Sequence, residues 1–154
     1  MTNQPANPST QQRGKRSGFR TLVGYRNTVW TGDRSEMELD VAERHMNSMG
    51  IVHGGVYAAL LDAAMGHAVS WSPVEGNVRQ AVTLSLTTRY LASVRAGKLR
   101  AIGRVEGCDG RFVTAVGEVR NEKNELCASA QASFLYLPGS ENPEGVPMRR
   151  PPST

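Results

Sequence analysis

Residues 53–71 read HGGVYAALLDAAMGHAVSW, and from Gly54 onward this is the longest apolar run in the 154-residue chain. Alanine and leucine dominate it and no proline interrupts it, so a helix of about 16 residues is expected from propensity. Pro73 and Gly76 end it. The run is apolar nearly all the way round, which predicts a helix enclosed on most sides. Asp62 and His67 break its apolar character, and flanking membrane anchors are lacking. It therefore reads as a buried helix rather than a membrane span.

The texture on either side is different. Residues 19–30 are rich in Val, Tyr, Thr and Phe and read as one strand or an interrupted pair. Residues 35–41 alternate, with Met37, Leu39 and Val41 on one face, which predicts a half-buried strand. Residues 42–52 show no period and read as a loop. After the helix, residues 80–91 alternate again, with Val82, Leu84 and Leu86 on one face. Residues 98–105, 112–119 and 126–137 are further strands, separated by turn signals at Gly97, Gly110 and residues 121–124. The expected order is two strands, one long helix, then four strands in a meander. An apolar helix and a large antiparallel sheet make an α+β fold in which the sheet wraps the helix. The pattern of a doubly wound sheet is not present.

The two ends dilute the composition. Residues 1–17 are polar and basic, and residues 138–154 are rich in proline. Neither stretch carries enough apolar surface to offset ordering entropy, so both are expected to be disordered tails around one domain at 18–137. Arg13, Lys15 and Arg16 account for most of the net charge of +4. A basic tail without a basic stripe on the folded part argues against nucleic-acid binding. The N-terminus shows no apolar signal-peptide core, so Cys108 and Cys127 are expected as reduced thiols in a cytoplasmic protein. No His, Cys or carboxylate cluster stands at metal-ligand spacing.

The chemistry concentrates in residues 47–62. Asp62 lies mid-helix among Ala and Leu. A carboxylate there loses hydration unless it has partners or faces a wet cavity. Such an acid suits a general base or a nucleophile; the alternative is a buried Asp capping a neighbouring loop. Gly54 and Gly55 open the helix, where the first N–H groups lack internal partners and the dipole is positive. Two glycines let a ligand approach the backbone closely, which suits a developing oxyanion; the alternative is a tight turn that requires glycine. Eight residues of helix separate Gly54 from Asp62, or about 12 Å. A reacting carbonyl on one and an attacking water on the other must meet within about 3 Å. If both are catalytic, the site is shared by two antiparallel copies of the helix.

Asn47, the run Gly50-Ile51-Val52-His53-Gly54-Gly55, and Asp62 resemble the signature of the hotdog-fold thioesterases, in particular the phenylacetate-pathway (PaaI-type) branch. That signature has an Asn, HGG six residues on, and an acid nine after the His. Residues 83–97 and 124–133 resemble the family's strand after the helix and its closing strand. The resemblance implies a hydrolase for acyl-CoA, with aryl or medium-chain acyl groups, acting as a homodimer at least and expected as a homotetramer. A non-catalytic acyl-CoA-binding module is the alternative, and a hotdog hydratase would need a different Asp/His arrangement. It implies that the Gly54 N–H polarises the thioester carbonyl and that Asp62 of the opposite subunit is base or nucleophile. Asn47 would position water or thioester, Thr83 would hold the attacking water, and His53 would contact the thioester or brace its loop. No cofactor is implied, since coenzyme A is part of the substrate.

Other residues carry weaker expectations. Gly55, Met65 and Arg89 are candidates for substrate contact, with Tyr57 and Trp71 as further candidates for an acyl pocket. Arg95, Lys98 and Arg120 could meet phosphates with Arg89. His67, five residues past Asp62, does not share its helix face and reads as a core or interface histidine.

Overall fold

In the computed structural model, which describes residues 18–148, the elements follow in this order: α1 (Gly18–Val23), β1 (Arg26–Thr31), β2 (Arg34–Asp40), a 3-10 turn (Glu43–His45), α2 (Gly54–Val69), β3 (Asn77–Val78), β4 (Ala81–Tyr90), β5 (Lys98–Asp109), β6 (Phe112–Asn121), β7 (Leu126–Tyr136) and β8 (Val146–Pro147). The expected 16-residue helix is present at Gly54–Val69. Six strands form one antiparallel sheet in the order β1-β2-β5-β6-β7-β4. Helix α2 lies across one face of that sheet and touches all six strands. This is the α+β arrangement of one long helix against a large antiparallel sheet.

The core lies between helix and sheet. Leu60, Leu61, Ala64, Met65 and Val69 of α2 are fully buried against Met37, Leu39, Leu99, Val119 and Ala128. Two glycines set the helix height. Gly103 and Gly117 face each other across β5 and β6. A Cβ on Gly103 would lie 2.4 Å from the Ala64 carbonyl carbon and 2.5 Å from the Met65 nitrogen. One on Gly117 would meet Leu61 Cδ2 at 3.0 Å. The backbone of α2 therefore rests directly on the sheet at Gly103, which only glycine allows, and the Leu61 and Met65 side chains pack close over Gly117.

Four expectations are corrected. Residues 19–30 are not strand throughout: Gly18–Val23 is a short helix and only β1 is extended. His45, buried, ties the end of that helix down through a 2.7 Å contact from Nε2 to the Val23 carbonyl. The last four long strands are not a simple meander, because β4 pairs with β7 at the sheet edge while β5 returns beside β2. Helix α2 is buried on one side only: Ala58, Ala59, Asp62, Ala63 and Gly66 are half-buried in the single chain.

The fourth correction concerns the proline-rich end. Residues 138–148, expected as the start of a loose tail, pack back onto the domain. Val146 and Pro147 pair with Val78 and Asn77, and Ser72 donates to the Glu144 carbonyl at 2.8 Å. Arg79 stacks over the Tyr136 ring at 4.0 Å and donates to the Ser140 and Glu141 carbonyls. These polar contacts replace the apolar burial the segment lacks. The expected tails at 1–17 and 149–154 lie outside the described residues.

Candidate active site

Asp62 is half-buried, and its Oδ1 accepts a 2.8 Å hydrogen bond from the Thr83 hydroxyl. A bulge in β4 makes that contact. Thr83 pairs with Phe134 and Ser85 with Ser133, so Leu84 is the extra residue between them. The extra residue reverses the alternation, turning Thr83 toward the helix. Val82 and Leu84 are left exposed while Leu86, past the bulge, packs on the core. The expectation that all three share one face is thereby corrected.

Gly54 is the first residue of α2, and its N–H has no hydrogen-bond partner among the described residues. The preceding His53 is the N-cap, with extended backbone. Its Nδ1 accepts the Gly55 N–H at 2.9 Å. A neutral His53 must then carry its proton on Nε2. The Gly55 N–H is committed to this cap and is not a free donor for substrate.

The loop before the helix is held from two sides. Asn47 Oδ1 accepts the Met49 and Ile51 N–H groups at 2.9 and 3.3 Å. Those two donors assign the amide, so the Asn47 NH2 group is the end left for other partners. Arg95 donates to the Met49 and Gly50 carbonyls at 3.2 and 3.1 Å. Gly50 takes a φ of +67°, the left-handed turn that glycine favours.

Between this loop, the start of α2 and the end of β4 lies a cavity of about 340 Å³. Ile51, Val52, Tyr57, Tyr90 and Leu91 give it apolar and aromatic walls, and Asn47 and Gly54 reach its polar edge. The Tyr57 and Tyr90 rings meet edge to face at 6.1 Å. Burial pushes the Tyr57 phenol up to about 12, with the Cys127 thiol adding to the rise and the Val94 backbone opposing it. Tyr57 therefore stays neutral across the physiological range.

The polar residues thus fall into two groups at two places along α2. Asn47, His53, Gly54 and the cavity form one; Asp62 and Thr83 form the other. Two residues expected at the substrate do not line this cavity. Met65 is fully buried in the core. Arg89 is exposed on β4, opposite Ser129, and does not line the cavity. Lys98 and Arg120 are paired with Glu38 and Glu118 on the sheet. His67 meets the Trp30 ring at 6.0 Å, and Nδ1 lies 3.1 Å from the Ala63 carbonyl. Cys108 and Cys127 are free thiols. Tyr90 and the bracing role of Arg95 had no local signal in the sequence beyond an aromatic at a strand end and an arginine in a turn.

Among the described residues no helix is long and apolar enough to cross a membrane. A family model described as Thioesterase superfamily matches residues 49–128, more than half of the chain. The chain is 25% identical over 105 residues to a 1,4-dihydroxy-2-naphthoyl-CoA hydrolase of Escherichia coli, covering 68% of this chain and 76% of that protein. A conserved protein of Pseudomonas aeruginosa superposes with a TM-score of 0.73 at 32% identity, covering 79% of this chain and 94% of that one. The PaaI protein of the Escherichia coli phenylacetic acid degradation operon shares the fold, with a TM-score of 0.72 at 19% identity, over 79% of this chain and 86% of its own. All of these site residues except Asn47, which lies just before it, fall within the matched segment, and the chain belongs to the thioesterase superfamily with its hotdog fold.

Proposed function

We propose that the chain hydrolyses acyl-CoA thioesters to free acid and coenzyme A, at a site completed by a second copy of itself. The observation that carries this reading is the separation of the two groups along α2. Gly54 offers an unpaired N–H at the positive end of α2, and Asp62 with Thr83 stands about 12 Å along the same helix. One copy of the helix cannot bring them to one carbonyl. Two antiparallel copies can, and they produce two equivalent sites. The half-buried row of Ala58, Ala59, Ala63 and Gly66 supports a close approach of a second helix. The open edge of β4, with Val82 and Leu84 exposed, supports the same partner. A dimer is the minimum, and pairing of dimers into a tetramer is the expected assembly.

In this reading the thioester carbonyl oxygen sits on the Gly54 N–H, where the helix dipole stabilises the developing negative charge. Asn47 presents its NH2 group beside it. Asp62 of the second copy, held by Thr83, takes a proton from water as the water oxygen bonds to the carbonyl carbon. Collapse of the tetrahedral intermediate breaks the C–S bond and releases the thiolate of coenzyme A. In the alternative route Asp62 attacks directly, and water then hydrolyses the mixed anhydride. The aromatic walls of the cavity favour aryl acyl groups, with medium-chain acyl groups second. No cofactor takes part. The free thiols and a CoA-linked substrate support a cytoplasmic location.

Thiol release is measured across a panel of aryl- and fatty acyl-CoA esters, and absence of turnover on all of them overturns the hydrolase in favour of a binding module. Mixing two inactive variants tests the shared site. Asp62→Ala and Gly54→Pro subunits, unfolded and refolded together, should recover about a quarter of wild-type activity, because half the dimers are mixed and each holds one intact site. No recovery in mixed dimers, or a monomeric wild type, overturns the shared site.

A further inference from the structure

We propose that Tyr90 is a positioning residue for the Gly54 oxyanion donor, and that its ring is the reason residue 54 is glycine. The inference rests on the hydrolase reading above. The peptide joining Gly54 to Gly55 is clamped at both ends. Its carbonyl accepts the Tyr90 hydroxyl at 3.2 Å, and its N–H donates to His53 Nδ1 at 2.9 Å. A Gly-Gly pair has the greatest backbone freedom of any dipeptide, so an oxyanion donor carried on it needs external fixing. A donor that must reorganise during the reaction loses much of its effect. The Gly54 N–H belongs to the preceding peptide, whose carbonyl accepts the Val56 N–H at 2.9 Å, so with the following plane clamped both peptides that meet at Gly54 are held.

The ring does a second job. The backbone of Gly54 does not enter the left-handed region, so conformation alone does not demand glycine there. Space does. A Cβ on Gly54 would lie 3.2 Å from Tyr90 Cε1, 3.3 Å from Cζ and 3.4 Å from the hydroxyl oxygen. The ring covers the face of the Gly54 Cα that a side chain would occupy. The same ring meets Tyr57 edge to face and walls the cavity. An acyl group seated there touches the residue that holds the oxyanion donor.

Steady-state kinetics on phenylacetyl-CoA and hexanoyl-CoA test this. Tyr90→Phe keeps the ring and removes one hydrogen bond, so kcat should fall about 3- to 10-fold on both esters with KM unchanged. Its melting temperature should match wild type, since the hydroxyl is on an exposed residue. A double-mutant cycle tests the ring: Gly54→Ala should cost less activity in a Tyr90→Ala background than alone. Wild-type kcat in Tyr90→Phe, a loss confined to KM, or additive effects in the cycle each overturn the positioning role. A wild-type chain inactive on every ester overturns the hydrolase reading and this proposal together, and the wild-type control separates that outcome from the others.

Discussion

The two ends of α2 are built on opposite principles. At the C-terminal end the last carbonyls are taken. Gly66 accepts the Ser70 N–H and hydroxyl, His67 accepts Trp30 Nε1, Val69 accepts the Tyr136 hydroxyl, and Ser70 accepts the Arg79 N–H. At the N-terminal end, His53 satisfies the Gly55 N–H, but the Gly54 N–H has no partner among the described residues. Helices generally cap both ends where they can, because an unmade hydrogen bond lowers stability. One end of this helix is tied into β1, β7 and the segment before β4, and the other is left chemically open. The anchored end holds the helix as a whole, while Tyr90 and His53 hold the first peptide beside the open N–H.

That contrast can be broken by substitution. The largest effect is expected from Asp62→Ala, which should lower kcat about 10²- to 10⁴-fold as a lost general base. Its melting temperature should stay close to wild type; retention of full turnover would remove Asp62 from the mechanism. Gly54→Pro comes next. Proline is tolerated at a first helical position and deletes the N–H in question, while its ring also crowds Tyr90. His53, at φ −62° and ψ 139°, already has the extended backbone that a residue before proline requires. Thiol-release rates should fall about 10²- to 10³-fold, the worth of one oxyanion donor.

Gly103→Ala acts on stability instead. Its methyl would drive into the helix backbone, and chemical denaturation should show a loss of about 1–3 kcal/mol or failure to fold. The smallest effect is expected at the anchored end. Tyr136→Phe leaves the Val69 carbonyl without this partner at a cost of about 1–2 kcal/mol in denaturant titrations, with kcat unchanged. If Tyr136→Phe reduced turnover as strongly as stability, the two ends would not be independent.

Much of this was legible in the chain. The unbroken Ala/Leu run marks α2 and both of its ends, because local propensity and burial agree there. Asp62 and Gly54 stand out by chemistry, and helix rise alone separates them. Other features depend on distant partners. Gly18–Val23 has the composition of a strand and is helical in a setting where its end is tied to His45. Thr83 reaches Asp62 through a bulge, which strict alternation cannot reveal. The place of β4 beyond β7 is a choice of long-range pairing. Tyr90 meets Gly54 across 36 positions of sequence. Residues 138–148 hold on by backbone hydrogen bonds, which composition does not report.

The seat at Gly103 has one more consequence. A helix whose backbone drops into a notch is keyed there: it can neither roll about its axis nor slide lengthwise without riding up over the strand. Ala64, the contact point, is two residues from Asp62. The bearing of that carboxylate is therefore machined into the sheet by a residue with no side chain, and in the proposed hydrolysis the acid would keep its aim through a part that never meets the reactants.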